Sequence, residues 1–231
     1  MNEEEIIRST FAIIDDQLRS ASIAQVGGFR PSDEPFASYF GGRFYGLPGE
    51  EYPTCNGRVL SALLQVNLEE LPFVPAKLHE IRFITVFVDE ENLPFGNHNG
   101  DGWVIRTYDS LSELILLPES TYQTNIKPFP IRWSLIEGDA PDWTSAWEYV
   151  NPTGFLELSQ AIELFSEKYQ TRQGTKIGGW PHYLQDDDKN LGDFVFQIDS
   201  EYKANWMWGD AGIAYFFKDE TETWFMDWDS L

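Results

Sequence analysis

The sequence predicts an α+β fold, built from internally duplicated helix, glycine-loop and strand units, with mostly antiparallel β-sheet covered by a few helices. Three observations lead there. Two apolar stripes recur at the helical period, short β-branched and aromatic runs are separated by Pro and Gly turns, and the same short motifs occur twice in the same order.

The first stripe is Ile7, Phe11, Ile14 and Leu18, spaced i, i+4, i+7, i+11, and it predicts a helix over Glu3 to Arg19. Glu3, Glu4 and Glu5 suit the positive end of its dipole. A glycine loop follows, SYFGGRFYGLP from Ser38 to Pro48, and then LLQVNL from Leu63 to Leu68 and VFVDE from Val86 to Glu90. The second stripe is Phe155, Leu158, Ile162, Phe165 and Tyr169. After it come KIGGWPHYL from Lys176 to Leu184, VFQIDS from Val195 to Ser200 and FFKDE from Phe216 to Glu220.

Strands are predicted over Leu60 to Leu68, Ile81 to Val88, Gly102 to Tyr108, Glu113 to Leu117, Ile131 to Ile136, Asp193 to Ile198 and Gly212 to Phe217. The segments ENLPFGNHNGDG, KPFP, EGDAPDW and NPTG carry Pro and Gly that cannot continue a ladder. One domain over 1–231 is expected, made of two pseudo-repeats at about 1–90 and 153–231 with an inserted β-rich segment at about 90–152.

These residues also carry a resemblance. Ser38 to Gly42 followed by LLQVNLEELP, then GGWPHYLQ, FVFQIDSE and WGDAGIAYFF (Trp208 to Phe217), resemble the YwqG-like family of bacterial proteins of unknown function from about Ser38 onward. Arg43 and Phe44 stand where that family usually has a proline, and IRFITVFV lacks the glycine that often opens that strand. The resemblance implies little about activity, although some members look like immunity proteins encoded beside secreted bacterial toxins.

Composition narrows the function classes. With 38 acidic and 16 basic residues the net charge is −22. That field repels phosphate backbones and anionic membranes and attracts basic proteins, although solubility alone accounts for it equally well. A single cysteine, Cys55, allows no internal disulfide, the acidic start lacks a secretory pattern, and no apolar run nears the roughly 20 residues of a spanning helix. A cytoplasmic protein is expected.

Chemistry-bearing motifs are few. Asn97, Asn99 and Asp101 space oxygen donors like the start of a calcium loop, but Tyr108 stands where the closing Glu belongs, so a polar turn is preferred. None of His79, His98 and His182 has a histidine three or four residues away. Gln65 and Gln197 sit in apolar strands, where a buried amide must find partners, and are expected to bond the glycine-loop backbone. Trp180, Trp206, Trp208, Trp224 and Trp228 crowd the last quarter and are read first as core.

The expected function is a non-catalytic acidic binding protein, an immunity protein that neutralises a basic toxin, with no nucleic acid, membrane, cofactor or catalytic residue involved. One alternative is a ligand binder or enzyme with a pocket between the repeats, lined by Trp180, His182, Gln65, Gln197 and Asp210. The other is a calcium-binding module.

Overall fold

The computed structural model describes residues 11–32, 34–94, 98–120, 122–143, 145–146, 158–169, 171–185 and 191–231. Its strands are β1 (Arg19–Val26), β2 (Tyr39–Phe40), β3 (Tyr45–Gly46), β4 (Thr54–Cys55), β5 (Arg58–Val59), β6 (Ser61–Asn67) and β7 (Phe83–Val88). They continue with β8 (Trp103–Tyr108), β9 (Ile115–Leu116), β10 (Phe129–Asp139), β11 (Lys176–Gly178), β12 (Asp193–Asp199), β13 (Ile213–Lys218) and β14 (Trp224–Asp229). Ten form one antiparallel sheet in the order β14-β13-β12-β11-β1-β10-β2-β6-β7-β8, while β3–β9 and β4–β5 make two small ladders.

The sheet bends until its ends approach. His98, just before β8, bridges to Phe225 of β14, and Trp228 Nε1 donates to the Pro94 carbonyl at 2.6 Å. Inward side chains from both halves then share one cluster, including Leu64, Val86, Trp103, Ile131, Phe196 and Phe216. Phe196 stacks on Phe216 at 4.3 Å, and Trp103 meets the same ring edge-on at 5.5 Å.

This corrects the expected α+β class. The chain is mostly β, 39% strand against 10% helix, in a nearly closed barrel-like sheet. A sheet that curls on itself fills its inner face with its own side chains and needs no helical cover. The helical pieces, residues 11–15 and Leu158–Lys168, instead pack on each other at one corner, where Ile14, Phe165 and Tyr169 meet Ala140 and Ala146. The predicted helix at Glu3 to Arg19 begins outside the described residues, is helical at 11–15, and gives way to β1 at Arg19. Phe155 also lies outside the described residues.

The two arms of the sheet are laid out alike. Leu63 and Val195 are both extra residues in their ladders, so that Gln65 pairs with Thr85 as Gln197 pairs with Tyr215. By the same register Tyr39 to Gly42 correspond to Lys176 to Gly179. The arms are joined by a crossed central pair: β1 lies against β11, and β10 against β2. The Trp-rich end is core, with Trp206, Trp208 and Trp224 buried in the main cluster and Trp228 packed against it.

Candidate functional site

The end of β11 is organised by a glycine pair. Gly178 and Gly179 have φ of +79° and +72°, a left-handed succession open to glycine and strained for other residues. The Gly179 N–H donates to the Ser20 carbonyl at 3.0 Å, and the next N–H, that of Trp180, is turned toward an anion. Here the anion is internal. Asp139 Oδ2 accepts the Trp180 N–H at 2.8 Å and the Lys176 ammonium at 2.7 Å, while Oδ1 accepts the Arg172 N–H at 2.9 Å.

Both side chains of that ion pair are fully buried. Burial pulls the Lys176 ammonium below its ordinary value, and the Asp139 charge opposes it. Around this pair Trp180, His182 and Gln197 come together. Gln197 Oε1 accepts the His182 N–H at 2.9 Å and its Nε2 donates to the Gly174 carbonyl at 2.9 Å. Trp180 is buried, its Nε1 donates to the Gln17 carbonyl at 2.7 Å, and the Arg19 guanidinium lies 3.5 Å over its ring. His182 is half-buried, and burial, followed by the Lys176 charge, keeps its imidazole below the usual range.

The remaining candidates lie apart. Gln65 holds the corresponding place in the other arm, where its Nε2 donates to the Ala37 carbonyl at 2.7 Å. Asp210 is exposed in the turn before β13, and its carbonyl accepts the Leu231 N–H at 3.2 Å. In the polar loop, Asn97 is outside the described residues, Asp101 is exposed, and Asn99 clasps both backbone groups of Ile105, at 3.1 and 3.3 Å. Among the described residues no group of three or more His, Cys, Asp or Glu side chains is placed to hold a metal ion.

Sequence reasoning missed Lys176, Asp139, Tyr215 and Asp229. The Tyr215 hydroxyl sits 2.7 Å from Asp229 Oδ1 and 2.9 Å from the His182 carbonyl, and burial, reinforced by Asp229, raises its pKa far above a free phenol's. Asp139 fell in a stretch taken for a linker, and a buried lysine opening a glycine loop has no sequence signature.

Asp199 closes β12, and its counterpart in the other arm is Asn67. Burial pushes its carboxyl up to about 6, against opposing hydrogen bonds from Ser200 and Gly174 backbone. A folded-state pKa above the unfolded one favours folding most at acid pH, so stability from this group is lost as pH rises from about 4 to 6. Asp199→Asn is expected to raise stability at pH 7 by about 1–2 kcal/mol, the lower end reflecting residual solvent screening, and to flatten that slope. Urea unfolding at pH 4, 5 and 7 checks it, and an unchanged slope in the variant would refute the assignment.

In the first arm the corresponding glycines, Gly41 and Gly42, have φ of +59° and +85°. There the outer surface is hollow. A cavity of about 420 Å³ is lined by Gly42, Arg43, Tyr52, Ser61, Tyr122 and Thr124, among others. Its rim is held by Glu90, whose carboxylate accepts from Thr124 Oγ1 at 2.6 Å, Tyr122 OH at 2.9 Å and the Asn125 N–H at 3.0 Å. Burial raises the Glu90 carboxyl, but these hydrogen bonds outweigh it and leave the group below the usual carboxylate value.

No helix among the described residues is long and apolar enough to cross a membrane. None of the functionally described proteins compared with the chain matches it. The sequence pattern of one family, the domain of unknown function DUF1963, matches residues 38–229, which run from the residue before β2 to the last residue of β14 and so take in the outer strands and glycine pairs of both arms. A match over that much of the chain makes this protein a member of the DUF1963 family.

Proposed function

We propose that this DUF1963 member is a non-catalytic, YwqG-like binding protein of the cytoplasm whose acidic surface docks on a basic protein, as an immunity protein docks on a basic toxin. The observation that carries this is how the charges are used. Of 16 basic residues, Lys176 and Lys218 are buried, and Arg58, Lys77, Arg106 and Lys168 are each within ion-pair distance of a carboxylate. The 38 acidic residues leave many exposed, among them Glu51, Glu80, Asp109, Glu113, Glu119, Glu137 and Glu220.

The surface also offers an apolar centre for such a contact. Leu47, Ile115 and Leu116, on and beside the β3–β9 ladder, are 39%, 50% and 39% exposed, with Glu51, Glu113 and Glu119 close by in the chain. Apolar contact inside a charged rim is the usual anatomy of a protein interface.

The test is titration against basic effector proteins encoded beside the gene. Binding is expected, weakening at least about tenfold between roughly 50 and 300 mM salt as screening shortens the reach of the charge. A complex indifferent to salt, or the absence of binding to any basic neighbour, would overturn the reading.

A further inference from the structure

The first-arm glycine pair is built like the second, but the position that Asp139 fills in the second is open. From that difference we infer that the cavity beside Gly42 and Arg43 is a binding site for a carboxylate carrying a short apolar or aromatic body. The ligand's carboxylate would take the place that Asp139 takes in the other arm. This stands independently of docking on a basic partner.

The equivalence of the two loops rests on several matched contacts. Ser38 Oγ accepts the Asn67 N–H at 3.0 Å, and Thr175 Oγ1 accepts the Asp199 N–H at 3.0 Å. Gln65 Nε2 donates to the Ala37 carbonyl as Gln197 Nε2 donates to the Gly174 carbonyl. The backbones crowd their neighbours in the same way: a Cβ on Gly41 would fall 2.8 Å from the Lys127 carbonyl oxygen, and one on Gly178 would fall 3.0 Å from that of Ser20. All four glycines have positive φ.

The second glycine of each pair is where the loops part. A Cβ on Gly179 would fall 2.2 Å from Asp139 Oδ2, whereas among the described residues a Cβ on Gly42 would meet only Pro128 Cβ, at 3.3 Å. Trp180, whose N–H holds Asp139, corresponds to Arg43, and Gly42 and Arg43 both line the 420 Å³ cavity. The same backbone turn that satisfies a buried carboxylate in one arm thus borders an open space in the other.

The cavity lining fits the inferred ligand. Arg43 brings a guanidinium whose Nη2 donates to the Leu117 carbonyl at 2.7 Å and whose Nη1 is 4.0 Å from the exposed Glu119, a weak pairing that a better-placed carboxylate would displace. Ser61, 3% exposed, also lines the cavity, with its hydroxyl beside the Glu90 carboxylate. Tyr52, Ile126 and Pro128 supply apolar wall. A guanidinium with only a weak ion pair, beside a glycine turn whose counterpart holds a buried carboxylate, is what a carboxylate site requires before its ligand arrives.

The experiment titrates the whole protein with 3-phenylpropionate and with its neutral amide, following backbone amide shifts by NMR, at low salt because the overall charge opposes anions. The acid is expected to bind with Kd of about 1 mM, the scale of so small a ligand, moving the Gly42, Arg43 and Ser61 amides, and the amide analogue at least about tenfold more weakly. Arg43→Gln should weaken the acid at least about fivefold while leaving the unfolding midpoint near that of the parent. A short peptide ending in phenylalanine, tested with free and amidated C-terminus, separates a peptide terminus from a free organic acid as the source of the carboxylate. Equal binding of acid and amide, no binding of any acid, or shifts confined to other regions would overturn the inference, as would undiminished binding in folded Arg43→Gln.

Discussion

Lys176→Met is expected to destabilise the protein by about 3–5 kcal/mol, because it leaves the Asp139 carboxylate fully buried with its lysine partner gone. For a chain of this length that is a fall in Tm of roughly 6–20 °C. The cost arises from the charge left behind rather than from the pair's own attraction, which much of the desolvation cancels. Adding Asp139→Asn should therefore recover part of the loss, since the amide carries no charge and its single oxygen still accepts one of the two N–H groups, Trp180 or Arg172, that the two carboxylate oxygens hold. Urea unfolding of the two variants decides it. A single variant within about 1 kcal/mol of the parent would mean that water reaches Asp139 and that the pair is not buried as described.

How much of this was legible beforehand depends on what each residue type constrains. The runs that became β6, β7, β8, β10, β12 and β13 are dense in β-branched and aromatic residues, and a strand suits them on local grounds alone. β1 was hidden because RSASIAQV mixes small and polar residues, being buried at only some positions, and β11 because KIG is too short for any period. Curvature was the larger loss. The stripe through Phe165 and Tyr169 says only that something apolar covers it, and the cover is Ile14 with Ala140 and Ala146 rather than the sheet. Whether a sheet closes is set by twist and register over many strands, which no single window contains.

The site divides along similar lines. An amide inside an apolar strand has to find partners, so Gln197 pointed to its own surroundings, and those partners are His182 N–H and the Gly174 carbonyl. The Lys176–Asp139 pair joins residues 37 apart in sequence, and in isolation each looks like an ordinary solvated charge. Thus the polar group that cannot be solvated where it stands is readable, whereas the charge that has been removed from solvent by distant segments is not. The difference between the two glycine pairs was out of reach for the same reason: it depends on Asp139 arriving from β10.

Gly179→Ala is expected to cost about 3 kcal/mol, and Gly42→Ala only about 1 kcal/mol. Both force a Cβ onto a left-handed backbone, φ +72° and +85°, which accounts for roughly 1 kcal/mol in each. At Gly179 the new Cβ would also fall 2.2 Å from Asp139 Oδ2 and 3.0 Å from Ala21 Cβ, and the carboxylate has no room to retreat because Lys176 and the Trp180 and Arg172 N–H groups hold it. Displacing it leaves at least one buried donor unmet, a further 1–3 kcal/mol or so. At Gly42 the neighbour is Pro128 Cβ at 3.3 Å, a contact that a displacement of a few tenths of an ångström relieves. Paired denaturant unfolding of the two variants measures the difference directly. Equal losses would mean that the carboxylate in the second arm contributes nothing beyond backbone strain, and that the two glycine turns differ only in what happens to lie nearby.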